Sequence, residues 1–337
     1  MDRRQFLETA AGALSAVAIS LKPARAQAPT KVTLVQAGPA LAFTGIFVAN
    51  RRKLWAKENL AVTAKQVTGG PLALTALVAG EAEFATLASS DVAIANERQL
   101  PVISVAAVTT SLVLGVGASN KWMQAKGVTP QSPVEAKVRA MKGARIGVAT
   151  VGGGPAQYGR YLLQAYGLDG QKDATYLPVG QAATRLAALR EDRTDVFIGA
   201  PPEAEIAEAD GYGALFINLA TEVPLFRDYA FTVILTSRDY VAKNEDTVQR
   251  FVHALAAANR SIHADFADAV AALQEAHPNV PGKAVELAMQ RFKTGYPNGA
   301  AQTETMWKNV LISMRETGAI HRDISAAEGG VWTNKYL

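Results

Sequence analysis

From Val32 onward, apolar runs of strand length alternate with stretches of helical periodicity, in two separate series. The first reads as strand 32–35, helix 42–58, strand 61–67, helix 72–79, strand 83–87 and helix 90–98, with β-rich runs at 102–108 and 113–118. The second reads as strand 144–150, helix 156–166, strand 175–179, helix 182–190, strand 195–198 and helix 202–209. Such alternation predicts right-handed βαβ units and parallel sheets. The last third holds one strand, 231–236, and then long helical patterns at 245–276, 283–292 and 302–317. A helical tail that closes neither series alone predicts two α/β lobes, the first discontinuous. A chain of 337 residues is large enough to divide in this way.

The N-terminus has another character. Asp2-Arg3-Arg4-Gln5-Phe6-Leu7 sets paired arginines ahead of an apolar, small-residue stretch at 10–21, and Ala24-Arg25-Ala26 follows. A charged head, a short apolar middle and an A-x-A exit predict a cleavable export signal over 1–26. The competing reading is an amphipathic N-terminal helix. A permanent span is excluded, because that takes roughly 20 predominantly apolar residues. Arg3-Arg4 with Phe6-Leu7 resembles the twin-arginine signature, with Asp2 and Glu8 in place of the usual Ser/Thr and Lys. Cysteine is absent, which excludes disulfides, thiolate metal sites and a lipidated cysteine anchor. The expected state is a soluble, unanchored monomer in the bacterial periplasm.

The net charge is +4, and the leader holds Arg3, Arg4, Lys22 and Arg25 against Asp2 and Glu8, leaving about +2 elsewhere. That argues against nucleic acid as a partner. Signals of catalysis are poor. There is no Gly-x-Ser-x-Gly elbow and no Ser-x-x-Lys. His253, His263, His277 and His321 all fall in the tail without metal-ligand spacing, and Glu203 and Glu205 do not share a helix face. No catalytic set, metal or cofactor is expected.

In open α/β sheets, ligands sit beyond the carboxyl ends of the strands. The loops there read Gly38-Pro39-Ala40-Leu41-Ala42-Phe43, Gly69-Gly70-Pro71 and Ala88-Ser89-Ser90-Asp91. In the second series they read Val151-Gly152-Gly153-Gly154-Pro155, Gly180-Gln181 and Gly199-Ala200-Pro201-Pro202-Glu203. Glycine admits close backbone approach, and helix N-termini offer free amides with partial positive charge. Gly152-Gly153-Gly154-Pro155 lacks the Gly-Lys-Ser/Thr ending of a phosphate loop, and Gln157 stands where a dinucleotide fingerprint has its third glycine. It is either a ligand-facing amide cradle or a plain strand-to-helix turn with Pro155 at the first helical position. Ser89 or Ser90 suits a helix N-cap, and either hydroxyl could also face a cleft; Asp91 reads as a structural acid of the first turn. Leu41, Phe43, Pro201 and Pro202 offer either an apolar wall or ordinary loop packing. No cleft loop contains Lys or Arg, which favours a monoanion with an apolar body over a highly charged ligand.

Several fragments carry a family resemblance across nearly the whole chain after the leader. They are Phe47-Val48-Ala49 through Trp55-Ala56-Lys57-Glu58-Asn59-Leu60, Leu77-Val78-Ala79-Gly80-Glu81-Ala82-Glu83-Phe84-Ala85, Gly143-Ala144-Arg145-Ile146-Gly147-Val148, Tyr166-Gly167-Leu168-Asp169 and Leu186-Ala187-Ala188-Leu189-Arg190. In order and spacing the chain resembles the periplasmic substrate-binding proteins of ABC importers, in the nitrate, sulfonate and taurine group that also contains the thiamine-pyrimidine synthases. The resemblance implies a type II periplasmic binding protein, with two α/β lobes joined by two crossover strands and a ligand cleft between them. It places lobe one at 30–111 plus 227–337 and lobe two at 112–226. It puts the ligand loops at Leu41–Phe43, Ser89-Ser90, Gly152 to Pro155, and Pro201-Pro202. Pro201-Pro202 departs from the acidic patterns common in that group, so specificity does not transfer there. The pyrimidine synthases use a cysteine-rich motif that this chain lacks. The implied function is capture of a small organic anion, a sulfonate or a carboxylate including aromatic ones, and delivery to a permease in the inner membrane. The rival readings are a periplasmic enzyme acting on a pyrimidine-like metabolite and a sensory module for a membrane receptor.

Overall fold

The computed structural model describes residues 28–36, 40–67 and 69–337. The leader read at 1–26 lies outside the described residues, as do Gly38 and Pro39. The described residues form ten strands in chain order: β1 (Thr30–Gln36), β2 (Leu60–Gln66), β3 (Phe84–Ala88), β4 (Val102–Ala107), β5 (Gly115–Ser119), β6 (Arg145–Val148), β7 (Thr175–Pro178), β8 (Val196–Gly199), β9 (Gly213–Asn218) and β10 (Thr232–Ser237). They form two five-stranded sheets, ordered β2-β1-β3-β10-β4 and β7-β6-β8-β5-β9.

The two sheets share one plan. β1 is parallel to β2 and β3, and β6 is parallel to β7 and β8. The fourth strand of each is antiparallel to both its neighbours: β10 in the first sheet, β5 in the second. The expectation of parallel sheets is corrected accordingly. A strand that arrives from the other lobe enters its sheet at the carboxyl ends of the resident strands, so it runs against them. The two crossings lie side by side. The Leu112 amide donates to the Phe226 carbonyl at 3.0 Å, and the Tyr229 amide donates to the Thr110 carbonyl at 2.9 Å.

Helices cover the sheets because each carries an apolar stripe at helical spacing. In the helix Glu245–Ala264, Val248, Phe251, Val252, Leu255, Ala258 and Ile262 are buried. Phe251 stacks on Phe84 of β3 at 4.1 Å and on Trp55 at 4.7 Å, joining helix, sheet and N-terminal segment. Burial of an aromatic side chain of this kind stabilises by about 1.5–3 kcal/mol. No helix among the described residues is long and apolar enough to cross a membrane.

Three expectations need adjustment. The helix read at 42–58 is a 3-10 turn, Leu41–Phe43, followed by Thr44–Arg51 and Leu54–Lys57, the break falling at Lys53 with φ 53°. The helix read at 245–276 divides at Asp265, whose carboxylate accepts the Asp268 amide at 3.2 Å and starts Phe266–Ala276. Apolar periodicity runs across both breaks, so it could not mark them. β9, unread in the sequence, closes the edge of the second sheet beside β5.

Candidate functional site

β3 delivers Ser89 and Ser90 to the first turn of the helix Ser89–Glu97. The N-cap is Ala88, and no side chain caps this helix, so the capping role read for the serines does not hold. Their residues are 0% and 1% exposed, and both hydroxyls are without a hydrogen-bond partner. The Ser89 amide is held by the Phe231 carbonyl at 2.8 Å, which pins this turn to the entry of β10. A buried hydroxyl without a partner costs free energy, so two in succession need an explanation beyond packing.

The second lobe supplies the facing surface. β6 leads into the turn at Gly152, and Gly153 is the N-cap of the helix Gly154–Ala165, with Pro155 in its first turn. Gly152 is exposed, while Gly153, Gly154 and Pro155 are half-buried. A Cβ placed on Gly154 would lie 2.8 Å from the Ser90 hydroxyl, so the first turns of two helices from opposite lobes meet here. Only a residue without a side chain permits that approach.

Tyr158 lies one turn beyond Gly154 and is fully buried. Its ring meets those of Phe226, Tyr229 and Phe231 edge-on at 5.8–5.9 Å. Its hydroxyl sits among those of Ser89, Ser90 and Tyr229, and none of them meets it at full hydrogen-bond geometry. Burial raises its pKa to about 12, so it stays a neutral phenol that can donate. Tyr229 has a partner of its own, the Ser313 hydroxyl at 2.8 Å. Sequence reading missed Tyr158. The available signal was its place four residues after Gly154, on the same helix face.

Two charged side chains frame this cluster. Asp91, next to Ser90, is half-buried, and no cation pairs with it among the described residues. Burial raises its pKa to about 7, against a hydrogen bond from the Ala88 backbone that lowers it. Behind the glycine turn, Arg160 is 7% exposed and has no carboxylate partner among the described residues. It donates to the Val151 carbonyl at 3.1 Å and stacks on the Tyr176 ring at 4.8 Å. The loops carry no Lys or Arg, but the helix behind one of them does.

The remaining predicted residues are buried within their own lobes. Leu41 and Phe43 are core residues, and the Leu41 carbonyl accepts from the Thr44 hydroxyl at 2.6 Å and the Tyr296 hydroxyl at 2.9 Å. Pro201 and Pro202, joined by a cis peptide, are buried in the turn after β8. Glu203 follows them and forms a buried pair with Arg185, at 2.9 and 2.6 Å, while Arg185 also reaches the Gly180 carbonyl. One ion pair thus ties together the loops after β7 and β8. Glu205 belongs to a different contact: it and Glu208 meet Arg291 of the tail helix Gly282–Phe292 at 3.2 and 2.8 Å. A separate depression of about 570 Å³, lined by His253, Arg260, Asn298 and Leu337 among others, shares no residue with these loops.

Chemically, the cluster offers three neutral hydroxyls, two helix N-termini and an aromatic nest. Such a set suits an oxyanion or a polarised oxygen attached to an apolar body. It contains no nucleophile paired with a base. Among the described residues no group of His, Cys, Asp and Glu side chains is arranged to hold a metal ion.

Known proteins bear on this arrangement. YtlA of Bacillus subtilis (strain 168), whose name assigns it a binding role, is 25% identical over 312 residues, covering 88% of this chain and 86% of that one. A solved protein from Bordetella bronchiseptica RB50 superposes with a TM-score of 0.76 at 22% identity, over 91% of this chain and 95% of that one. The periplasmic aliphatic sulphonate binding protein SsuA from Escherichia coli superposes with a TM-score of 0.68 at 15% identity, over 91% and 99%. The fold is therefore that of the two-lobed periplasmic binding proteins. The model of the family described as NMT1/THI5 like matches residues 40–269, more than half of the sequence, and the chain belongs to that family.

Proposed function

We propose that the protein is the solute-binding receptor of an ABC importer, exported to the periplasm, which captures a small organic anion between its lobes and hands it to a membrane permease. One observation carries the reading. The buried, unpartnered hydroxyls of Ser89, Ser90 and Tyr158 gather where helix first turns from opposite lobes meet. The proposed lobes are 30–111 with 227–337, and 112–226, the hinge lying where Leu112 bonds Phe226. The ligand class is a sulfonate or a carboxylate, including aromatic ones, and its anionic group faces Ser89, Ser90 and the Gly152–Gly154 amides. The binding role in the name of YtlA and the sulphonate ligand in that of SsuA support this choice.

Magnitudes favour shared work. Micromolar capture requires about 8 kcal/mol, whereas one helix N-terminus contributes roughly 0.3–1 kcal/mol, and about 2 in partly buried geometry. Hydroxyl donors, water exclusion and apolar contact must supply the rest, which is binding with lobe closure and no bond making. The test is calorimetric titration of alkane- and arenesulfonates and carboxylates into the parent and into Ser89→Ala/Ser90→Ala. The parent should bind at least one compound, and the double variant should lose about tenfold or more. Equal binding by both would remove these serines from the site.

A further inference from the structure

Arg160 is a cation without an acid, held directly behind the glycine turn. It is 7% exposed, its Nε has no hydrogen-bond partner, and no carboxylate pairs with it among the described residues. A lone buried charge costs free energy that an apolar side chain of similar length would avoid. Its contacts show what the charge does instead. The guanidinium stacks on the Tyr176 ring at 4.8 Å, and Nη1 donates to the Val151 carbonyl at 3.1 Å. Among the described residues this is the one side-chain hydrogen bond made to positions 151–154.

The turn needs such a fastening, because successive glycines lose more backbone freedom on ordering than any other residue type. Its far end is tied by the backbone. The Gly153 carbonyl accepts from the Ala156 and Gln157 amides at 3.1 and 3.3 Å, and the Gly153 amide donates to the Thr150 carbonyl at 3.3 Å. At the near end the Gly152 amide meets no protein acceptor among the described residues, and Arg160 supplies the hold. The Val151–Gly152 peptide is trans, so its carbonyl and its amide point in opposite directions. A carbonyl fastened to the guanidinium therefore aims the Gly152 N–H away from it, and the charge polarises that peptide into a stronger donor. Resting on the receptor reading above, we propose that Arg160 is a positioning residue. It fixes the Gly152 amide toward the anionic group of the ligand and acts through the peptide, without touching the ligand. Tyr176 is the support against which the guanidinium is held.

The test compares Arg160→Met, Arg160→Lys and Tyr176→Leu with the parent in two readouts. NMR spectra of the ligand-free protein with isotope-labelled glycine report the turn. Calorimetric titration of benzenesulfonate, and of its neutral counterpart methyl phenyl sulfone, reports binding. Arg160→Met should displace the signals of Gly152 to Gly154 while the glycines of the first lobe keep theirs. Arg160→Lys, which can still donate to the Val151 carbonyl, should return them toward the parent positions. Tyr176→Leu should displace the same signals less, and it carries the test if Arg160→Met does not fold. Arg160→Met should weaken the sulfonate about tenfold or more and the sulfone less, and Arg160→Lys should recover most of that loss. Unmoved turn signals in the variants overturn the inference. Equal sulfonate affinity in the parent and Arg160→Met overturns it too. So does an equal loss for sulfonate and sulfone that Arg160→Lys does not recover, the pattern of a merely structural role. Turn signals displaced in Arg160→Met and restored in Arg160→Lys, with no binding of the sulfonate by the parent, uphold the hold of Arg160 on the turn and count against the receptor reading alone.

Discussion

The Ser90 hydroxyl of one lobe lies 2.8 Å from where a Cβ on Gly154 of the other would be. At this point the lobes touch with no room for a methyl group. Gly154→Ala should leave each lobe folded, since alanine is tolerated in a helical first turn, but should hold the lobes apart. Small-angle scattering should show a ligand-bound form more extended than the parent's, and affinity should fall by about tenfold, equivalent to 1.4 kcal/mol. Adding Ser90→Ala should relieve the clash and restore the compact form.

The Arg185–Glu203 pair is buried on both sides, at 9% and 7% side-chain exposure, and holds the loops after β7 and β8. Glu203→Gln leaves a buried guanidinium without its counter-charge. Urea denaturation should report a loss of about 3–5 kcal/mol. Replacing both partners, as Arg185→Met with Glu203→Leu, should recover most of that stability.

Asp91 predicts a pH dependence of the ligand-free protein. Its folded pKa is raised to about 7 from 3.8. Between those values the folded state keeps a proton that the unfolded state has released, so stability falls as pH rises through this window and levels off above it. The half-buried carboxyl limits the effect to a few kcal/mol at most, on the order of 1 kcal/mol per pKa unit. Melting temperatures from about pH 4 to 8 should decline more in the parent than in Asp91→Asn, and a parallel decline in both would contradict this.

Much of this was legible in the sequence. Alternating strand and helix patterns gave two α/β series because burial of each sheet demands that period. The glycine turn at 152–154 and the serines at 89 and 90 were visible because loops after parallel strands are where ligands approach. What joined them was not. Tyr158 looks like any helical aromatic until the fold places its hydroxyl beside Ser89 and Ser90. Arg185 and Glu203 are 18 residues apart and meet only through the packing of their loops. The antiparallel insertion of β5 and β10 depends on the crossing between lobes, a long-range relation that local periodicity does not encode.

Arg291 offers a way to separate closure from contact. It reaches from the tail helix to Glu205, whose side chain is fully buried, and to Glu208. Arg291→Ala should leave Glu205 unpaired beneath the surface and loosen this junction between tail and second lobe. The expected outcome is a lowered melting temperature and a more extended ligand-free form in scattering. An unchanged scattering profile would show that this contact does not govern lobe separation.

Capture of a small organic anion between the lobes is tested most directly by a thermal-shift screen of the protein lacking residues 1–26. Sulfonates, aliphatic and aromatic carboxylates, nitrate and pyrimidines would be added singly, and hits recovered and checked for chemical change. A true ligand at about 100 times its dissociation constant should add roughly 2.7 kcal/mol of stability. Such a shift is expected with a sulfonate or carboxylate that is recovered unaltered. A shift confined to neutral compounds, or turnover of the hit, would contradict it.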